Sequence, residues 1–396
     1  MHYYILPCLF SHLFIAIGAA DTTPCPFNEN CECKQVEPPN SRIFQSIDCY
    51  RTLSLPKFLS PSNKKYVITG SFLLKCNVDK LPARYFDIFM SIEQLHLFHM
   101  GEGDQQCNDH AFEGVEIGNL KISYISGILP PPTALKKVGE RNLTSLSILV
   151  DEAMSLNKGD FQNFSALQAL TIDNGHTNAP IDILGKNVFS GLEQSLIHLE
   201  IMNAPLPEFP NIQNLTKLKK LTLRNNELNE IPNDVFSEMA ELRELALDFN
   251  NFGVSIMEGA LDHLPTTLSA LSLKGVGMEA VPRNILKNKT QLTDLDLSNN
   301  KIQKIQKNDF TDLINLENLL FSENPISTIE VGSFPNTKNK TVTTVQLRGT
   351  KLTSLDLSAL HGFSDCLFYA SGNAFLKTLN VSDMEKVSCA IFLEGF

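Results

Sequence analysis

The feature that most constrains the fold is a repeated frame of the form Leu-x-x-Leu-x-Leu-x-x-Asn. Its clearest copies end at Asn226, Asn250, Val276, Asn300, Asn324 and Thr350, which gives spacings of 24, 26, 24, 24 and 26 residues. Weaker copies end at Met100, Asp151, Gly175, Ala204 and near Asn373. Cys76 takes the Asn position of an earlier copy, and "IGNLKISYI" fits poorly between Met100 and Asp151. About a dozen copies of this length predict a solenoid, because a single copy cannot bury its apolar face alone.

Each copy predicts a short parallel strand. Alternate leucines, such as Leu295 and Leu297, are expected to point into a core shared with neighbouring coils. The Asn at the end of the strand stands where the chain leaves the sheet, and its amide can bond backbone groups that would otherwise be buried unpaired. A column of such Asn side chains is therefore interpreted as structural.

A second column consists of phenylalanines that follow the strands at a nearly constant offset: Phe86, Phe112, Phe161, Phe189, Phe236, Phe310 and Phe334. The chain has 25 Phe and no Trp, and this column accounts for much of that balance. We expect a stacked apolar spine beneath the convex side. A cofactor-binding aromatic box is the alternative, but the rings follow the repeat and not a cleft, so no cofactor is predicted.

The first 20 residues predict a secretory signal, since an apolar run from about Ile5 to Ile17 ends in small residues before Asp21. No later segment reaches the roughly 18 apolar residues of a membrane-spanning helix. Six Asn-x-Ser/Thr sites agree with export: Asn142, Asn163, Asn214, Asn288, Asn339 and Asn380. The formal net charge of −11 disfavours nucleic acid and anionic membranes as partners. The mature chain is expected to be secreted and extracellular.

The cysteines indicate stapled ends. Cys8 leaves with the signal, and the other eight form a tight group (Cys25, Cys31, Cys33, Cys49), a middle pair (Cys76, Cys107) and a terminal pair (Cys366, Cys389). An even number in a secreted chain predicts disulfides. Cys76, in the inward Asn position, is either a buried free thiol or the partner of Cys107.

The frame and its period resemble the leucine-rich-repeat superfamily. The resemblance implies an α/β-type solenoid, a horseshoe with a parallel β-sheet on its concave face. The opening "CPFNENCEC" with Cys49 resembles the cysteine-rich amino-terminal cap of extracellular members. It implies the pairs Cys25–Cys33 and Cys31–Cys49, whereas Cys366 and Cys389 resemble a reduced carboxy-terminal cap. The expected organisation is a signal (1–20), an amino-terminal cap (21–65), repeats (66–376) and a cap or tail (377–396).

Among extracellular members, the layout most resembles secreted arthropod proteins named after the non-catalytic subunit of a luciferin 2-monooxygenase. The shared points are the signal, the "CP…C-x-C" opening, irregular early repeats and regular later ones. This resemblance implies a carrier or partner role and no chemistry.

The side chains offer little catalytic chemistry. The densest set of potential metal ligands lies between Glu93 and His110, but only His96 and His99 are placed to share an ion, so no metal site is predicted. Asp294 and Asp296 lie two residues apart on one strand, and their carboxylates are expected about 6 to 7 Å apart. An outward pair on an open sheet lacks the cleft that raises the pKa of an acid catalyst. We interpret both as acidic contact surface, and no catalytic residue is predicted.

The concave face is the expected place for binding. In each copy the residue two places before the Asn position is the third one expected to face outward. These residues are Leu74, Phe98, Ser123, Leu149, Asp173, Met202, Arg224, Asp248, Lys274, Ser298, Ser322 and Arg348. Arg224, Asp248 and Lys274 are lateral neighbours that either neutralise one another or contact a ligand. Phe72, Leu74 and Phe98, beside His96, are predicted to face outward together as an apolar patch that docks a protein partner or a second copy.

These patterns favour a secreted, non-catalytic protein that recognises another protein through its concave face. An open sheet offers area and no enclosed pocket, which favours a protein ligand over a small molecule. The alternatives are a non-catalytic subunit of a secreted, luciferin-monooxygenase-like enzyme complex, a structural protein of the extracellular matrix and, least favoured, an enzyme.

Overall fold

The computed structural model describes most of residues 23–393. Outside the described residues are 1–22, 36–41, 53–57, 59–64, 77–80, 101–107, 109, 126–137, 139–141, 151–153, 157, 176–180, 184–186, 253–258, 338–342, 364, 374–375, 381–388 and 394–396. The predicted signal, Cys107 and Asn339 lie outside them, and so do the side chains of Cys76 and Phe98.

Short strands dominate the described chain. The first eleven are β1 (Thr23–Cys25), β2 (Asn28–Gln35), β3 (Ile43–Thr52), β4 (Tyr66–Cys76), β5 (Phe89–Met100), β6 (Glu116–Ile125), β7 (Ser145–Val150), β8 (Met154–Leu156), β9 (Ala169–Asp173), β10 (Ile181–Ile183) and β11 (His198–Met202). The others are β12 (Lys220–Arg224), β13 (Glu244–Ala246), β14 (Ala270–Ser272), β15 (Asp294–Asp296), β16 (Lys304–Ile305), β17 (Asn318–Leu320), β18 (Thr328–Ile329), β19 (Thr343–Gln346), β20 (Ser354–Asp356), β21 (Cys366–Tyr369), β22 (Thr378–Asn380) and β23 (Cys389–Phe392).

One 17-stranded sheet unites β1–β7, β9, β11–β15, β17, β19, β21 and β23. Its pairing is antiparallel from β1 to β3 and parallel from β3 to β23, so each coil adds one strand beside the last. On the returning limbs the pairs β8–β10, β16–β18 and β20–β22 form two-stranded parallel ladders. These limbs also carry helix α1 (Arg283–Leu286) and a 3-10 helix (Leu357–Gly362). The predicted solenoid with a parallel sheet is confirmed.

The regular copies have the predicted register. In β15, Leu295 is buried between the half-buried Asp294 and Asp296, and it pairs laterally with Leu271 and Leu319. This alternation puts every second side chain into the core and leaves the others on the open face.

The Asn column holds the coils together as predicted. The side-chain oxygen of Asn300 accepts hydrogen bonds from the backbone N–H groups of Val276, Gly277 and Met278 in the preceding coil. Its amide nitrogen donates to the carbonyls of Leu273 and Leu297 at 2.8 and 2.9 Å. Asn226, Asn250, Asn324 and Asn373 make equivalent buried bonds.

The predicted phenylalanine spine is also present, and all seven rings are buried. Phe86 and Phe112 stack with their centroids 5.6 Å apart, and Phe310 and Phe334 stack at 6.1 Å. Phe161 and Phe189 stack at 6.3 Å. Near-parallel rings from successive coils therefore fill the interior beneath the returning limbs.

The three disulfides implied by the family resemblance are present. Cys25 is bonded to Cys33 and Cys31 to Cys49, which ties β1, β2 and β3 together at the amino-terminal end. Cys366 is bonded to Cys389 and joins the last two strands of the sheet.

The structure corrects the predicted orientation of Phe72 and Leu74. Both side chains point into the core, with 0% and 1% of their surface exposed. Phe72 and Leu74 pair laterally with the inward residues Leu95 and Leu97 of β5. The Asn position of this copy is therefore Asn77 and not Cys76, and the frame anchored on Cys76 was one residue out of register. Before these residues, between Ile68 and Ser71, β4 has a bulge of one residue relative to both neighbouring strands. The bulge contains Gly70, where an added Cβ would lie 2.4 Å from the carbonyl oxygen of Gln45.

A second correction concerns "IGNLKISYI", which forms the regular strand β6. Its residues Ile117, Leu120 and Ile122 are buried and pair with the inward residues of β5. Ile125, in place of Asn, obscured the copy in the sequence. Ser123, predicted to face outward, is also buried, with 1% of its surface exposed.

Candidate functional site

The predicted contact residues separate into two groups along the concave face. His96 lies on β5, laterally between Leu73 of β4 and Lys121 of β6. Burial, and secondarily the charge of Lys121, lower the pKa of His96. Five other predicted residues lie on or directly after β12–β15: Arg224, Asp248, Lys274, Asp294 and Asp296. With Phe72 and Leu74 inside the core, this second group is the candidate site.

The carboxylate of Asp248 is held by its neighbours in the next coil. It accepts hydrogen bonds from Ser272 Oγ at 2.5 Å and from the backbone N–H of Lys274 at 3.1 Å. Only 9% of the residue is exposed, and this burial raises the pKa of Asp248, with a smaller contribution from the charge of Asp296. The carboxylate is therefore a fixed part of the face.

Of the two alternatives for Arg224, Asp248 and Lys274, mutual ion pairing is not observed: neither cation lies within 4 Å of the Asp248 carboxylate. Both cationic groups lie over the ring of Phe249, at 5.3 Å and 5.6 Å from its centroid. Arg224 comes from the coil before the ring and Lys274 from the coil after it. Such cation–π contacts stabilise by about 0.5–1 kcal/mol at exposed sites and hold the cations at the edge of the sheet.

Phe249 has an unusual backbone conformation. Its φ of 53° lies in the left-handed region, where bulky residues are rare. The same position of the other described regular coils is also left-handed, so the conformation belongs to the repeat and Phe249 stands out only as an aromatic residue. The others are Asn203, Asn225, Gly275, Asn299, Glu323, Gly349 and Gly372. Gly275 also seats the ring, since an added Cβ there would lie 2.6 Å from it. The ring of Phe249 is partly exposed, and it can occupy this place because residue 275 is a glycine.

A shallow trough runs along the middle of the concave face beside this ring. Its floor consists of Thr222, Ala246, Ala270 and Ser272, four small side chains on adjacent strands. Larger side chains wall it at both ends: Lys220, Glu244, Asp294, Asp296, Asn318 and Leu320. Its volume is about 160 Å³. Pockets for small molecules usually measure about 300–1,000 Å³, so the trough has room for one side chain.

The two aspartates of β15 are oriented by hydrogen bonds. Asp294 accepts from Thr293 Oγ1 at 2.7 Å and from Asn318 Nδ2 at 2.6 Å. Asp296 accepts from the backbone N–H of Ser298 at 2.8 Å. Both were predicted to face outward, and both line the trough.

Lys220 is the one cationic side chain that the structure describes around the trough, and it lies near two carboxylates. Lys220 Nζ lies 2.9 Å from Glu200 and 4.0 Å from Glu244. The hydrogen bond to Glu200 is the main reason that the pKa of Lys220 is raised. Among the described residues, no group of three His, Cys, Asp or Glu side chains could hold a metal ion. The arrangement is suited to contact with a charged partner.

Sequence reasoning missed Phe249 and the trough. A signal for the ring existed: the residue before the Asn position is Asn225 in one copy and Asn299 in another, so a phenylalanine there departs from the pattern. The trough depends on small residues meeting across three strands, and an individual copy does not reveal it.

Family models match the regular part of the chain. The model described as "Leucine rich repeat" matches residues 211–252, and "BspA type Leucine rich repeat region (6 copies)" matches residues 254–366.

Curated relatives are similar over part of their length. Chaoptin of Tribolium castaneum is 29% identical over 187 residues, which is 46% of this chain and 22% of chaoptin. Decorin of Oryctolagus cuniculus is 27% identical over 233 residues, 58% of this chain and 59% of decorin. The chain thus spans less than two thirds of each of these relatives.

A solved structure supports the fold. The LRIM1/APL1C complex contains a chain with a TM-score of 0.54 and 20% identity, covering 85% of this chain and 59% of that one. The disulfides and these relatives point to an extracellular protein. In the part of the chain that the structure describes, no helix is long and apolar enough to cross a membrane.

Proposed function

The chain belongs to the extracellular leucine-rich-repeat superfamily, and we propose that it is a secreted, non-catalytic protein that recognises another protein through its concave face between β12 and β17. The observation that carries this proposal is the ring of Phe249, held in a left-handed conformation between Arg224 and Lys274. Asn, Gly or Glu holds this left-handed position in the other described regular coils, so the fold does not require an aromatic ring there, and a partly exposed ring between two cations is the kind of surface that binds proteins.

The chemistry of this cluster is that of a protein interface. Aromatic and Arg side chains are enriched at interfaces, and a few such residues contribute most of the binding energy. Asp248 and Ser272 add a hydrogen-bonded polar pair whose geometry is already fixed in the free protein. A pre-ordered surface loses less conformational entropy on binding, which supports a recognition role.

The positions of the glycosylation sequons are compatible with this surface. Asn163, Asn214 and Asn288 each precede the Asn position of their coil by 12 residues, on the limb that leads into the strand. Phe249 follows its strand, at the opposite edge of the sheet. Glycans on those three sites would leave the edge that carries Phe249 open to a protein partner.

Crosslinking capture tests the proposal. The mature chain is incubated with extracellular fluid of its source, crosslinked, and its partners are identified by mass spectrometry. We expect one or more polypeptides whose recovery falls at least about 10-fold in Phe249→Ser, corresponding to about 1.4 kcal/mol. Val331→Ser, which removes an exposed apolar side chain from a returning limb, should leave recovery unchanged.

The outcome also discriminates among the alternatives. Capture of an oxygenase polypeptide would favour the subunit of an enzyme complex, and capture of matrix components would favour a structural protein. Equal recovery with wild type and Phe249→Ser would contradict recognition at this surface, as would turnover of a substrate by the pure chain.

A further inference from the structure

We propose that the trough on the concave face binds a single arginine or lysine side chain of the partner protein. This inference rests on the proposed function, and it names the chemistry of the contact. The occupant follows from the charge, the size and the preorganisation of the trough.

The charge of the trough is negative. Three carboxylates line it, from Glu244, Asp294 and Asp296, against the one ammonium of Lys220. That ammonium lies 2.9 Å from Glu200, outside the trough, and 4.0 Å from Glu244, so the described carboxylates left without a cation are those of Asp294 and Asp296. Among the described residues no cationic nitrogen lies within 4 Å of the carboxylates of Asp294 or Asp296. A cation placed between β13 and β15 would therefore meet uncompensated negative charge.

The other two cations of the face are held away from these acids. Arg224 and Lys274 lie over Phe249, at the edge where the chain leaves the sheet. The aromatic ring thus keeps the chain's own cations from neutralising the trough. Asp248 remains electrostatically coupled to Asp296, which contributes to its raised pKa. A bound cation would weaken that repulsion.

The size and lining of the trough suit a long side chain with a charged end. Ala246 and Ala270 give an apolar floor on which the methylene groups of Arg or Lys can lie, with the charged group at the carboxylates. The volume of about 160 Å³ admits one such side chain and no cofactor.

The acceptors are preorganised. Thr293 and Asn318 orient Asp294, and the backbone N–H of Ser298 orients Asp296. Two carboxylates fixed on one strand can accept the divergent N–H groups of a guanidinium, so arginine is expected to bind more tightly than lysine.

Methyl NMR of the full mature chain, labelled with ¹³C at alanine methyl groups, tests the proposal. The probes are N-acetyl-arginine amide and N-acetyl-citrulline amide, which have similar shapes but differ in charge. We expect the arginine probe to shift the signals of Ala246 and Ala270 with an affinity at least about 10-fold above that of citrulline, as charge-assisted bonds exceed neutral ones.

Variants identify the responsible acids. Asp294→Asn/Asp296→Asn should reduce arginine binding at least 10-fold while leaving the other alanine signals in place. The matched control Glu238→Gln/Glu279→Gln removes the same charge from exposed positions off the sheet and should bind as wild type does. Equal shifts with both probes, or unchanged binding by the aspartate variant, would overturn the proposal.

The two proposals fail separately. If Phe249→Ser abolishes partner capture but the arginine probe does not bind in the trough, recognition through the concave face stands and the proposed cationic contact is wrong. If the probe binds but Phe249→Ser does not change the recovery of the partner, the trough does bind a cation and the proposed recognition of a protein at Phe249 is wrong.

Discussion

Replacing Phe72 by serine is expected to destabilise the amino-terminal coils by at least about 3–5 kcal/mol, the range measured when buried phenylalanines are truncated. The ring is fully buried and lies 5.3 Å from Phe89, 5.7 Å from Phe58 and 6.0 Å from Phe86, centroid to centroid. Its removal leaves a cavity beside these three aromatic rings and buries a hydroxyl group there. Urea denaturation, followed by circular dichroism, measures the loss.

The matched control is Leu73→Ser, because the adjacent side chain is half-exposed on the opposite face. Its effect should stay within about 1 kcal/mol, since surface changes are usually small. If Phe72→Ser is as mild as Leu73→Ser, Phe72 faces outward after all and its pairing with Leu95 is wrong.

Asn300→Ala is expected to destabilise the central coils by about 3–5 kcal/mol. The substitution leaves three N–H groups, of Val276, Gly277 and Met278, without their acceptor, and it removes the donor to the carbonyls of Leu273 and Leu297. Each buried group left unsatisfied costs about 1–3 kcal/mol, and partial relaxation of the loop limits the sum. The midpoint of urea denaturation should fall accordingly.

Gln303→Ala serves as the control, since it removes an exposed side-chain amide from the same coil. A change within about 0.5 kcal/mol is expected. Comparable losses for Gln303→Ala and Asn300→Ala would show that the column contributes no more than any surface amide.

Features that repeat along the chain could be predicted, because each copy confirms the others. The column of Asn226, Asn250 and Asn300 and the phenylalanine spine follow directly from the period. The disulfide pairs followed from the family resemblance of the cap and not from the frame.

Features that occur once could not be predicted in the same way. In the copy around β4 the frame was anchored on Cys76, and this error of one residue placed Phe72 and Leu74 outside. Cys76 and Asn77 both fit the Asn position of this copy, and a single irregular copy does not decide between them.

The candidate site was predicted only in outline. Arg224, Asp248 and Lys274 do lie side by side, but the sequence left open whether their charges pair with one another or contact a ligand. The structure shows the cations over Phe249, an aromatic residue at the position before the Asn, which the frame does not specify. Asp294 and Asp296 were correctly assigned to the open face, and their place in a trough emerged from the small residues on β13 and β14.

Recognition through the concave face is tested most directly by hydroxyl-radical footprinting of the chain with and without its captured partner. Oxidation reports the solvent exposure of individual side chains. We expect the partner to protect Phe249 and Leu320 on the concave side and to leave Val331 and Ile314, which are exposed elsewhere, fully reactive. Protection of Val331 or Ile314 with unchanged oxidation of Phe249 would contradict it.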